Sequence, residues 1–299
     1  MLRSEVVSNA WWLAIACGGC LVKPAANGGN PTCQSWGSFA TTKLTELDAQ
    51  SIATGSPWLS SDGLEIYFSS NRDPLDSSHV HLYRASRGGR DKPFAAPFPV
   101  SSINLFGTVD DDPFVASNGD LWFFSNRCGG IDECLYVAQA SGIPGAFEAP
   151  QQLQAYGTAP TLTDDLLTLM FARPPPGAHS GRPKQIVRAT RTVAGDMFDA
   201  PVPVPNINIG TDDHSPSISG DGHTLVFASD ALEPGRLHLF MATADATGTF
   251  GQPTAIMELA KGGATDSDPS LSADGTMLAF ASDRDGQFDL FVGTRTCNP

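Results

Sequence analysis

Asp266-Ser267-Asp268-Pro269-Ser270-Leu271-Ser272-Ala273-Asp274-Gly275 leads into Met277-Leu278-Ala279-Phe280-Ala281-Ser282-Asp283-Arg284 and then Asp289-Leu290-Phe291-Val292. An acid and a proline open the unit, Asp-Gly supplies a turn, and an apolar run follows, which is the grammar of short strands joined by tight turns. Weaker copies of the unit turn at Asp62-Gly63, Asn118-Gly119, Asp164-Asp165 and Asp221-Gly222, so successive turns are 56, 46, 57 and 53 residues apart. That period lies slightly above the spacing of four-stranded propeller blades and far from helical-repeat periods.

A complete copy carries four short segments. The first is short and follows the proline, as in Pro216-Ser217-Ile218-Ser219. The second is continuous, from Leu64-Glu65-Ile66-Tyr67-Phe68 in the first copy to Met277-Leu278-Ala279-Phe280 in the last, which suits a strand buried on both faces. The third alternates, as in His81-Leu82-Tyr83-Arg84, and predicts a partly exposed strand. The fourth opens on Phe with Pro three positions later, at Phe94, Phe147, Phe198 and Phe250, and the proline places it at a sheet edge. Four strands running from the axis outward make one blade, and five blades close a ring. The fifth copy has no fourth segment after Val292. Phe39-Ala40-Thr41-Thr42-Lys43-Leu44 stands at the matching interval before the first copy, so an N-terminal strand is expected to complete the last blade. The fold class predicted is all-β, a five-bladed propeller of four-stranded antiparallel blades within residues 32–299.

The closure brings Cys33 beside Cys297, and a bridge there would lock the ring; the simpler alternative leaves both thiols free near frayed ends. Cys128 and Cys134 bracket a five-residue hairpin loop and are a second expected pair.

Residues 266–292 resemble the TolB-type, WD40-like β-propeller repeat, with its Asp-x-Asp-Pro-x-x-Ser-x-Asp-Gly, Leu-x-Phe-x-Ser-Asp-Arg and Asp-Leu-Phe-Val strings. The resemblance covers about 54 to 296. It implies the propeller fold, while that family spans periplasmic scaffold proteins, lipoproteins and enzyme-appended propellers, so it leaves function open.

The chain of 299 residues carries a net charge of −14, with 18 basic residues scattered along it, which argues against a nucleic-acid partner. Acidity instead suits solubility, a cationic partner or oxygen ligands for a hard cation such as calcium; no cofactor beyond such a calcium ion is expected. Residues 1–17 read as a signal peptide, with Arg3 before the apolar run 10–16, and Ala14-Ile15-Ala16-Cys17 resembles a lipoprotein cleavage site with Cys17 as the lipidated residue. Residues 18–31 read as a flexible tether. An exported protein, periplasmic or anchored at the outer membrane by lipid alone, is the expectation.

Three residues before the repeated proline stand Thr54, Asp110, Gly157, Asp213 and Asp266. Asp110, Asp213 and Asp266, with Asp112, Asp268 and His214 nearby, are candidates to gather at one channel mouth. There they would hold a ligand or cation, or act as acid and base on a glycoside. A structural role in each turn is the simpler reading. Trp58 could stack on a ligand near the channel. His79, His81 and Asp76 could form a metal site, and Arg72, Arg127 and Arg284 are expected to pair with blade acids. Blade three replaces the Ser-Asp-Arg string by Ala172-Arg173-Pro174-Pro175-Pro176 and a long loop through Arg182, a place for a partner. No zinc-protease helix, phosphate loop, dinucleotide fingerprint or Gly-x-Ser-x-Gly elbow is present. The expected function is a non-catalytic, monomeric binding or scaffold module of the cell envelope for a protein or glycan; the alternative is a carbohydrate-active enzyme using channel-mouth carboxylates.

Overall fold

The computed structural model describes residues 33, 35–49, 52–129, 133–175 and 183–298. The expected leader, tether and Cys17, and the blade-three loop at 176–182, lie outside the described residues. Five four-stranded antiparallel sheets form the blades. The first is Thr54–Leu59, Glu65–Ser70, His81–Ser86 and Phe98–Pro99, and the second is Asp110–Val115, Leu121–Ser125, Cys134–Ala138 and Gln151–Tyr156. The third is Thr158–Leu162, Thr168–Arg173, Gln185–Thr190 and Val202–Pro203. The fourth is Asp213–Ile218, Thr224–Glu233, Arg236–Thr243 and Thr254–Ala255. In the fifth, Asp266–Leu271, Met277–Ser282 and Asp289–Thr294 are completed by the N-terminal Ala40–Lys43, with Ala40 opposite Thr294 and Lys43 opposite Phe291.

The closure is reinforced outside the blade. Ser35–Trp36 pairs with Cys297–Asn298, and Cys33 is bonded to Cys297 across a Cα separation of 5.3 Å, within the ordinary range. Cys128 and Cys134 are bonded as expected.

The second strands are the core: Phe68, Phe123, Phe171, Phe227 and Phe280, at equivalent positions, are fully buried. The third strands are more buried than their alternation suggests; His81–Ser86 leaves only Arg84 and Ser86 in contact with solvent. Neighbouring blades cover both faces, so much of the polar half of the alternation is buried as well. The fourth segments also differ from expectation, since the paired strand begins after the proline. The preceding Phe is instead a packing residue, with Phe94 under the Arg87 guanidinium at 4.4 Å and Phe198 under that of Arg191 at 4.2 Å.

Every inner strand carries a one-residue bulge at the same place. From Ser267 to Ser270 the strand advances three residues while its partner moves two, from Ala281 to Ala279, and the same slip follows Gly55, Asp111, Thr158 and His214. The residue before each proline absorbs it in the left-handed region: Ser56, Asp112, Ala159, Ser215 and Asp268 have φ of 46°, 54°, 51°, 51° and 52°. Non-glycine residues seldom sit there, and four of the five are Asp or Ser, whose short polar side chains are better suited to bond locally. The bulge re-aims these five side chains at the propeller axis.

Candidate functional site

Strand order fixes the two faces. One carries the starts of the inner strands and the loops between second and third strands; the other carries the Asp-Gly turns. Around the axis run the five bulge residues, their prolines and the residues that follow, Trp58, Phe114, Thr161, Ser217 and Ser270, enclosing a space of ≈40 Å³. Below the prolines the ring is tied blade to blade. Ser270 Oγ accepts from Leu59 N (2.8 Å), Thr161 Oγ1 from Ile218 N (3.2 Å) and Ser217 Oγ from Leu271 N (3.3 Å). Where the first two blades carry aromatics at this position, Trp58 meets Phe114 edge to face at 6.4 Å. Trp58 therefore lines the channel as part of its wall.

The acids three residues before the proline are placed elsewhere. Asp110 and Asp266 are at most 1% exposed and lie under arginines: Arg284 Nη2 donates to Asp266 Oδ1 at 2.6 Å and to Leu259 O at 2.7 Å, and Arg127 Nη2 to Asp110 Oδ1 at 2.5 Å and Ile103 O at 2.8 Å. Blade one, with Thr54 at this position, uses Arg72 on Leu47 O and Thr54 Oγ1. Both carboxylate oxygens of Asp213 accept from Gly210 N at 3.1 Å, and burial raises its pKa. Blade three has Gly157 because a Cβ would lie 2.5 Å from Ala172 O. These acids anchor the strand starts to their own blades.

The acids that do line the axial space are Asp112 and Asp268, with Asp111 beside Asp112, and all three are half-buried. Asp112 Oδ2 accepts from Ala159 N of the next blade at 2.9 Å, and Asp111 Oδ1 accepts from Asp112 N at 2.7 Å. Asp268 accepts from Ser215 Oγ at 2.6 Å and Ser267 Oγ at 2.9 Å. Ser215 has one proton, and with it on Asp268 the His214 Nδ1 at 2.8 Å is the donor to Ser215. His214 therefore orients Ser215 toward the carboxylate and is not placed to remove its proton. Nearby, Lys184 Nζ bonds Glu133 at 3.0 Å and Thr158 Oγ1 at 3.0 Å, and Glu133 directly precedes Cys134 of the Cys128–Cys134 bridge.

Asp112 is pushed well above the usual carboxylate range by burial, then by the charges of Asp111 and Asp268, with Lys184 opposing. Burial likewise raises Asp111, against hydrogen bonds from Ser69 and Ser56. A carboxyl whose folded pKa is raised costs stability as pH climbs from the ordinary 3.8 through the raised value, and costs nothing below both. Asp112→Asn is thus expected to raise Tm at pH 7, with the gain fading toward pH 4, followed by thermal melts across that range.

The remaining candidates form local pairs. Asp76 bonds His79 Nδ1 at 2.5 Å and His81 Nε2 at 3.0 Å, and its pKa is lowered to about 2 by Gly107 N–H first and by His79 next. Among the described residues no group of three or more His, Cys, Asp and Glu could hold a metal ion.

No family model matches the sequence, and no curated protein matches it. Solved structures do. An α-L-arabinofuranosidase from Podospora anserina, solved with cellotriose, superposes with TM-score 0.55 at 12% identity over 88% of this chain and 98% of that one. A putative TolB from Agrobacterium tumefaciens gives 0.50 at 13% over 89% and 99%, and a GH43_1 enzyme from Xanthomonas citri 0.51 at 15% over 87% and 91%. The likeness is one of fold, shared by a protein of the TolB group and by glycoside-cleaving enzymes alike.

Proposed function

We propose that the chain is an exported, non-catalytic binding module of the cell envelope that receives a cationic group of a protein ligand on the face where its inner strands begin. The observation that carries this reading is the pairing of two lining carboxylates, Asp112 and Asp268, and the adjacent Asp111 with a space of ≈40 Å³. That volume admits a few waters at ~10–15 Å³ each, or the tip of a charged side chain, whereas small-molecule pockets run to about 300 Å³ and more. Burial first and then neighbouring carboxylate charge raise Asp112, and a lysine or arginine end arriving at the mouth offsets that charge. The two disulfides support an oxidising compartment, in keeping with the leader read from residues 1–17.

One observation favours a second reading. A carboxyl whose pKa is raised by burial and by neighbouring carboxylates is what a glycosidase acid needs, and Asp112 has one, with Asp268 as the partner acid. A panel of polysaccharides and aryl glycosides incubated with wild type and Asp112→Asn separates the two. The binding reading expects no product above the protein-free blank; product released by wild type and lost in Asp112→Asn would establish the hydrolase instead.

A further inference from the structure

Four of the five junctions between blades are sealed by the same device. After the outer strand the chain makes a turn that drives two aliphatic side chains between consecutive blades: Val100 and Ile103, Val204 and Ile207, Ile256 and Leu259, and Leu44 and Leu47, each at most 8% exposed. In blades one and three an asparagine then clasps the third strand, Asn104 Oδ1 accepting from Leu82 N and Asn104 Nδ2 donating to Leu82 O, with Asn208 doing the same at Ile186. Thirteen positions separate Pro97 from Asp110 and twelve separate Pro201 from Asp213, but only seven separate Pro150 from Gly157. Blade two therefore reaches Leu153, the counterpart of Val100, and passes directly to blade three without the second aliphatic residue or the asparagine.

A slot of ≈580 Å³ remains at this junction, walled by Trp122, Leu153, Leu166, Phe171 and Phe198. Two further observations mark it as unfilled. Phe198 is half-buried, whereas Phe39, Phe94, Phe147 and Phe250 at equivalent positions are at most 8% exposed. Trp122 is 5% exposed, yet its Nε1 has no acceptor among the described residues. Met197, 74% exposed, stands at the rim, and Asn118 and Leu166 place the slot toward the Asp-Gly-turn face, away from the channel mouth.

We infer that the slot between blades two and three is a docking site for a segment of a partner protein carrying two aliphatic side chains three residues apart, followed by asparagine or another amide. The occupant is specified by the molecule itself, because the other four junctions are filled by the aliphatic pair and two of them carry the asparagine clasp as well. The docked segment's aliphatic pair would cover Phe198 and Leu153, a carbonyl or amide oxygen would serve Trp122 Nε1, and the rim acids Asp120, Asp196 and Asp199 favour neutral or basic flanks. The site is separate from the mouth and does not depend on the function proposed for it.

The probe is a labelled synthetic peptide with the sequence of Phe98–Leu105, Phe-Pro-Val-Ser-Ser-Ile-Asn-Leu, titrated against the full chain by fluorescence anisotropy. Wild type is expected to bind it at least tenfold more tightly than a scrambled peptide. Leu153→Arg is expected to weaken binding at least tenfold, and Ala155→Trp, on the same wall, provides the test should the first variant fail to fold. Replacing residues 154–156 by the sequence of residues 101–109 restores the missing turn; this graft is expected to abolish binding and raise Tm. Equal binding of the scrambled peptide, or undiminished binding by the graft, overturns the inference. So does a concentration-dependent dimer that the graft dissolves, which would assign the slot to a second copy, or a glycan that binds wild type and not the graft.

Discussion

Arg284→Ala is expected to lower stability by about 3–5 kcal/mol, because it leaves the Asp266 carboxylate buried and unpaired. In a propeller of this size the loss corresponds to a fall in Tm of ~10 °C. The guanidinium does several things at once: it bonds Asp266 at 2.6 Å, Leu259 O at 2.7 Å and Ser282 Oγ at 2.9 Å, and it lies 4.7 Å from the Phe291 ring. It thereby joins the start of the inner strand, the end of the second and the turn that seals the preceding junction. Lys92→Ala, which removes an ion pair whose side chains are 64% and 75% exposed, is the contrast and is expected to cost less than ~1 kcal/mol. If Asp266 were a ligand group instead of an anchor, Arg284→Ala would change binding while leaving the melt in place.

Cys297→Ser carries the second large effect. The Cys33–Cys297 bridge spans 264 positions, and a cross-link of that length removes enough loop entropy from the unfolded chain to contribute up to about 5 kcal/mol. What the bridge holds is the pairing of Ala40–Lys43 with Asp289–Thr294, so its loss should appear as fraying of the fifth blade. Hydrogen exchange in that blade is expected to rise ahead of the others. Cys128→Ser opens a bridge of only six positions and should leave the ring closed. Equal melts for wild type and Cys297→Ser would show that strand pairing alone closes the ring.

The fold was legible because the repeat states it locally, through Asp-Gly turns, buried phenylalanines and a fourth segment missing from one end and present at the other. The site was less so. A period-two count from Asp266 puts Asp266, Asp268 and Ser270 on one face, and the bulge after Ser267 breaks that count. Asp266 turns back to Arg284 while Asp268 turns to the axis. The sign of this lay in the proline that follows the bulge residue in all five copies. Asp111 has no acidic counterpart in any other blade, so the repeat does not mark it, and the run Asp110-Asp111-Asp112 is its only signal. The slot at the second junction was also written in the sequence, as the shortest interval between turns, 46 residues. It acquires meaning only once the sealing turns of the other junctions are seen to fill space.

The central claim is that Asp112 and Asp268 make the channel mouth a receptor for a positive group. Calorimetric titration of a hexalysine peptide into wild type and into the Asp112→Asn, Asp268→Asn double variant, at low and at physiological salt, tests it most directly. Binding is expected to weaken with salt and to be at least tenfold weaker in the double variant, a difference of about 1.4 kcal/mol or more. Equal affinity in the two proteins, or equal binding of a neutral peptide by wild type, would contradict it.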